Sequence, residues 1–173
     1  DDDAIEIEAD QRHVELIISD SGIDSERSKT VSTPGVKNRL ESEEDLIPLS
    51  PEVTTQYRSI TMRANYIAQD RSDIQYAGKE LARGMSSPTR GDWTKMKRVA
   101  QYLKRRPRVV IRYEKQDPCT YVDVWVDTDH AGCLRTRRST NGGALRFGKH
   151  TLRTWSSTQA VIALSSGESE YYG

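Results

Sequence analysis

Long apolar runs are missing from these 173 residues. With 35% hydrophobic and 30% charged residues, no stretch approaches the roughly 18 apolar residues that a membrane-spanning helix needs. The same shortage implies a modest core and poor order over much of the first 53 residues. Cysteine is scarce as well. Cys119 and Cys133 match no paired zinc spacing and are too few for a disulfide framework, so both are expected as reduced thiols. A signal peptide and an initiator methionine are lacking. The chain opens on Asp1-Asp2-Asp3 and stops at Tyr171-Tyr172-Gly173, soon after a helix start, so the expectation is a soluble, intracellular piece excised from something longer.

A net charge is also absent, with 26 bases against 26 acids, but the balance hides a division. Residues 1–53 carry 15 acids and 5 bases, whereas residues 54–173 carry 11 acids and 21 bases. A polyanion would therefore be sought on the C-terminal two-thirds.

Periodicity gives the organisation. Val14, Ile17 and Ile18 fall at helical spacing ahead of Gly22, a suitable C-cap. Thr33-Pro34-Gly35 reads as a turn or extended strip, and residues 41–52, with five acids and two prolines, as a solvated connection. Three further stripes follow: Tyr57, Ile60, Ala64 and Ile67; Ile74, Gly78, Leu81 and Met85; Trp93, Met96, Ala100 and Leu103. Each predicts a helix buried on one face, the second with Ser72 as N-cap and Asp73 favouring its dipole, and the third bounded by Pro88. From Arg108 the period changes to β-rich runs at 109–111, 121–126, 144–147 and 151–155, the last two forming a hairpin across Gly148-Lys149. Ser165 and Glu168 make a capping-box pattern that opens a final helix. The fold class is α+β, with a break near residues 115–120 and three regions: an acidic helix and linker (1–53), a helical subdomain (54–118) and a strand-rich region (119–173).

Three groups of residues could carry chemistry. Residues 83–115 hold 11 bases and 2 acids. Lys95, Arg98 and Arg105 project opposite the apolar stripe of their helix. Such cations suit phosphates, since each neutralised phosphate releases a counterion; a solubilising face is the other reading. Next, the apolar strand at 122–126 delivers Asp127 to its C-terminal end, with Asp129 on the same face if the strand continues. Hard oxygen ligands of this kind suit magnesium, and aspartate at a strand end is also a common turn former. Last come Glu168, already explained by the cap, and Glu170, which is not.

Taken in order, Asp127-x-Asp129-x-Ala131-Gly132, Arg138-Ser139-Thr140-Asn141-Gly142, Trp155-Ser156-Ser157 and Ala163-Leu164-Ser165-Ser166-x-Glu168-x-Glu170-Tyr171 strongly resemble the ribonuclease H region of copia-type LTR retrotransposon polyproteins. Upstream, Thr33-Pro34, Tyr57-Arg58-Ser59, Arg71-x-Asp73-Ile74, Met85-Ser86-x-Pro88-Thr89, Trp93 and Lys97-Arg98-x-x-x-Tyr102-Leu103-Lys104 resemble the stretch linking the reverse transcriptase palm to that nuclease. The resemblance covers the chain from about Thr33 onward. It implies that 54–118 is a thumb or connection subdomain and 119–173 the N-terminal half of a ribonuclease H-like domain. That half would be a three-stranded antiparallel sheet with the start of its first helix. It also implies that Asp127 and Glu170 are catalytic carboxylates holding Mg2+, with Mn2+ as an alternative and Asp129 as a further ligand. The implied reaction is two-metal hydrolysis of the RNA strand of an RNA·DNA hybrid, recognised through its 2′-hydroxyl. Arg135, Arg137 and Arg138 would hold hybrid phosphates. The implied partners are nucleic acid and the remainder of the Pol polyprotein, in a cytoplasmic virus-like particle or the nucleus.

The sequence departs from the family at His130, where Trp is usual, at Cys133, where a polar residue is usual, at Ser72 in place of Pro, and at Gly78 in place of a larger residue. Glycine inside a helix costs roughly 1 kcal/mol relative to Ala, so Gly78 reads as mild degradation. The palm's paired aspartates and two further nuclease acids are not in this sequence, so the chain alone is expected to be inactive. The competing expectations are a non-catalytic relic that grips nucleic acid through the basic helix, and a purely structural spacer.

Overall fold

A computed structural model describes residues 3–23, 26–36 and 41–173. The first two positions of the acidic start, Asp1 and Asp2, lie outside the described residues. The chain divides into two compact units: residues 8–110, and residues 1–7 together with 111–173.

The helical unit contains α1 (Gln11–Asp20), α2 (Pro51–Ile67), a short 3-10 turn (Ser72–Ile74), α3 (Gln75–Arg83) and α4 (Arg90–Arg105). Its core is the set of stripes legible in the sequence. Val14, Ile17, Tyr57, Ile60, Ala64, Ile67, Ile74, Leu81, Met96, Ala100 and Leu103 are buried, with Trp93 and Met85 partly buried against them. At about 1.5–3 kcal/mol per large apolar side chain, this cluster is what orders the unit. The tip of α1 closes on Gly22, whose φ of +70° suits the left-handed position after a helix. Ser72 is not an N-cap: no side chain caps the 3-10 turn that starts there, and α3 begins only at Gln75. Asp73 does not serve the helix dipole alone, because its carboxylate takes both Nε and Nη2 of the buried Arg71, at 2.9 and 2.8 Å. Gly78 has a packing role. A Cβ there would lie 3.1 Å from Asn65 Oδ1 and 3.8 Å from Ala68 Cβ, so the glycine lets α3 approach α2 closely.

The second unit has a two-stranded sheet, β1 (Ala4–Glu8) with β2 (Val110–Glu114), and a three-stranded antiparallel sheet, β3 (Val122–Asp129), β4 (Thr140–Phe147) and β5 (His150–Thr158), followed by α5 (Ser166–Tyr171). The chain is thus mixed α+β, with β1 first, then the four longer helices, then the remaining strands and α5. The β4–β5 hairpin turns at Gly148, φ +58°. All three strands outrun the apolar stretches that announce them, and β4 runs through Gly142-Gly143, ahead of the run expected at 144–147. Gly143 is required where it stands: a Cβ there would lie 2.1 Å from the indole of Trp155, its register partner on β5. Gln116 links β2 to this hairpin, donating from Nε2 to the Phe147 carbonyl at 3.1 Å and accepting the Lys149 amide at 2.8 Å.

Candidate functional site

Asp127 stands near the end of β3, exposed, opposite Gly142 on β4. With Trp125, Gly142, Gly143 and Ala144 it borders a shallow depression of about 270 Å³, opened by the small residues of β4. Helix α5 packs on β3. Ser169, fully buried, donates its hydroxyl to Thr128 Oγ1 at 3.0 Å and lies 3.3 Å from the Asp129 carbonyl. Gln159 ties the same contact to β4, its Nε2 reaching Asn141 Oδ1 at 2.7 Å and the Ser169 carbonyl at 2.8 Å. The neighbours of Asp127 and Glu170 therefore touch. The carboxylates themselves do not share a surface: α5 covers the face carrying Val126 and Thr128, where a Cβ on Gly173 would meet both side chains, and strand alternation turns Asp127 to the reverse face. Glu170 is exposed on the helix.

Asp129 is built into the following turn. Its Oδ1 accepts the Thr140 amide, and its Oδ2 fills the space that a side chain on Gly132 would need, 1.9 Å from an ideal Cβ. The turn is further held by Ser139, fully buried, whose hydroxyl accepts the amide of Ala131 at 3.0 Å, a residue at φ +55°. His130 Nε2 lies 3.2 Å from the Ala163 carbonyl, bridging the turn to the segment before α5. Buried Cys133 closes the loop: its amide donates to the Arg138 carbonyl at 3.2 Å, and its carbonyl accepts the Arg137 amide at 2.7 Å. This leaves the side chains of Arg135, Arg137 and Arg138 exposed. The cap of α5 forms as expected at Ser165, which accepts the Glu168 amide at 3.1 Å. Glu168 reaches one residue further back, accepting the Leu164 amide at 2.7 Å.

The fit to a divalent cation follows from the donors. Asp127 and Glu170 offer exposed hard oxygens, of which magnesium commonly takes one or two from protein and the rest from water and substrate phosphate. Among the described residues no three His, Cys, Asp or Glu side chains cluster to hold a metal. The donor type suits magnesium, but the fold does not gather these carboxylates into a cluster, and Asp129 Oδ1 is engaged in the turn.

The cations of the helical unit are differently placed. Arg105 is exposed near the end of α4. Lys95 and Arg98 are half-buried and engaged: Lys95 Nζ sits 3.0 Å from Glu41 and 3.4 Å from Asp92, and Arg98 Nη2 donates to Thr33 Oγ1 at 2.9 Å. Burial disfavours the Lys95 ammonium, yet the Glu41 and Asp92 carboxylates outweigh it and raise its pKa. Sequence reasoning missed this pairing because the acid comes from 54 positions upstream. It also missed Arg71. That fully buried guanidinium grips Asp73 and donates to the carbonyls of Arg106 and Pro107, both at 3.0 Å, at the end of α4.

Three known proteins are similar to this chain. The chain is 34% identical over 117 residues to the retrovirus-related Pol polyprotein from transposon RE2 of Arabidopsis thaliana, covering 68% of this chain and 8% of that protein. It is 24% identical over 167 residues to the retrovirus-related Pol polyprotein from transposon TNT 1-94 of Nicotiana tabacum, covering 93% of this chain and 12% of that protein. It is also 31% identical over 101 residues to the secreted RxLR effector protein 161 of Plasmopara viticola, covering 58% of this chain and 70% of that protein. No family model matches the chain, and no solved structure matches it significantly.

Proposed function

Because the chain belongs to the copia-type retrotransposon Pol polyproteins, we propose that residues 119–173 supply part of a ribonuclease H site for RNA·DNA hybrids. On the same reading, residues 54–118 connect that site to a reverse transcriptase. The observation that carries the proposal is the 3.0 Å contact between Ser169 and Thr128, which brings the residues next to Glu170 and Asp127 together from opposite ends of the sheet unit. Strand β3 is an edge strand of its sheet, and Asp127 on it and Glu170 on the helix beside it are both exposed. Bound by the two, Mg2+ would lower the pKa of a water molecule and offset charge on the phosphate under attack. The protein's part is to hold that ion through Asp127 and Glu170 and to keep the strand and helix in register through Ser169, Gln159 and Asn141. Arg135, Arg137 and Arg138 would position hybrid phosphates from the rigid turn. Two carboxylates hold a cation weakly, so the chain alone binds hybrid without cutting it.

Anisotropy of a fluorescein-labelled RNA·DNA hybrid tests this. Magnesium should tighten binding several-fold, and Asp127→Asn and Glu170→Gln should each remove that gain while leaving the magnesium-free affinity intact. Equal binding with and without magnesium, or an undiminished gain in either variant, would defeat the assignment.

A second reading keeps nucleic-acid binding and drops hydrolysis, and the exposed pair Arg105-Arg106 closing α4 favours it. In that case only charge reversal at Lys95, Arg98 and Arg105 changes affinity and flattens its salt dependence.

A further inference from the structure

The acids that answer the basic helix come from the stretch just before α2. Residues 41–49 run along the start of α4 and are fixed there by main chain. The Arg90 amide donates to the Ile47 carbonyl and the Gly91 amide to the Asp45 carbonyl, both at 2.9 Å, while the Leu49 amide donates to the Pro88 carbonyl at 3.0 Å. Gly91 allows the approach, since a Cβ there would lie 3.1 Å from both Cβ and O of Asp45. Asp45 in turn accepts the amide and hydroxyl of Ser42, at 3.0 and 2.8 Å, shaping the turn that presents the acids. Glu41 then reaches Lys95 at 3.0 Å and Glu44 reaches Arg90 at 3.6 Å. The partners are unequal: Lys95 and Glu41 side chains are 40% and 28% exposed, Arg90 and Glu44 56% and 79%.

As contributions to stability such partly exposed pairs matter little. Their effect on a polyanion is different. A phosphate that meets a cation already facing a carboxylate must displace that carboxylate, and the contact contributes less counterion release. The backbone anchors remain when the carboxylates swing away, so the segment is a fixed competitor, not a lid.

We propose that Glu41, seconded by Glu44, is a built-in competitor of nucleic-acid phosphates for Lys95 and Arg90, so that the affinity of the α4 face is set within the chain. This rests on the reading that α4 meets nucleic acid. It adds that the cation face is held partly neutralised until a polyanion displaces the acids.

The test is anisotropy of a fluorescein-labelled RNA·DNA hybrid against the whole chain over a salt series. The double variant Glu41→Gln/Glu44→Gln keeps side-chain size and all three backbone bonds. It should bind roughly three- to tenfold tighter at low salt, with a log–log salt slope steeper by about 1, since Lys95 still faces Asp92 at 3.4 Å. The gain should vanish in a Lys95→Gln/Arg90→Gln background, because the acids then have nothing to mask. Persistence of the gain in that background would mean a general charge effect and overturn the proposal. Should the double variant melt early, Glu41→Gln alone carries the test with about half the slope change. If Lys95→Gln/Arg90→Gln weakens binding while the acid variants change nothing, the competitor idea falls and the α4 reading stands. If hybrid binding ignores all these changes, or is absent, both fall.

Discussion

Arg71 shows how one residue can join three parts of the helical unit. Its guanidinium has no exposed area, grips Asp73 with two hydrogen bonds and caps the carbonyls of Arg106 and Pro107. Tyr102 completes the set, its hydroxyl donating to Asp73 at 2.7 Å. Burial would raise the pKa of Asp73, but the hydrogen bonds from Arg71 and Tyr102 outweigh it, and the net direction is downward. A carboxylate whose pKa is lower in the folded state contributes stability above its unfolded value and loses it as pH falls through the folded one. Stability of the helical unit should therefore decline below about pH 4, and Asp73→Asn should flatten that decline in denaturant titrations at stepped pH. Arg71→Ala should cost about 3 kcal/mol, since it strands a half-buried carboxylate and two helix-end carbonyls. Gly143→Val should likewise destabilise the sheet, by driving a side chain into the Trp155 ring; loss of the tryptophan's near-ultraviolet circular dichroism would report it.

Among the elements, α4 depends on its start. Thr89 accepts the Asp92 amide, and Asp92 accepts the Thr89 amide at 3.1 Å, forming a reciprocal cap. Thr89→Ala should cost about 1 kcal/mol by urea denaturation. This pair is readable in Thr89-x-x-Asp92 and sets the helix start just after the Pro88 boundary. The helices themselves were legible because their apolar residues recur at three and four positions and bury one face. Strand ends were not, because β4 continues through two glycines whose reason, the Trp155 ring, lies on another strand. β1 was equally hidden: five alternating residues become a strand only with β2 beside them, more than 100 positions away. The pairing of Lys95 with Glu41 is illegible for the same reason. Counting acids near a basic run cannot register an acid brought back by the fold. The bond from the Thr140 amide to Asp129 Oδ1 is likewise not legible, because it joins residues 11 positions apart.

The whole molecule is two units of unequal robustness. The buried apolar cluster lies entirely between Ala9 and Leu103. In the strand-rich unit Val122, Val124, Trp125 and Val126 are 43% to 63% exposed. Three strands with a thin core are marginal by themselves, so hydrogen exchange should protect amides of α2 and α4 most, with β3 to β5 exchanging faster. Uniform protection across both units would contradict that ordering. The proposed hydrolysis needs Asp127 and Glu170 to serve one cation. Paramagnetic Mn2+ titrated into the 15N-labelled chain decides it. Line broadening is expected for the amides around Asp127 and around Glu170 at the same metal concentration, abolished at both places by either Asp127→Asn or Glu170→Gln. Broadening at only one of the two, or at both but independently of the other carboxylate, would contradict a shared cation.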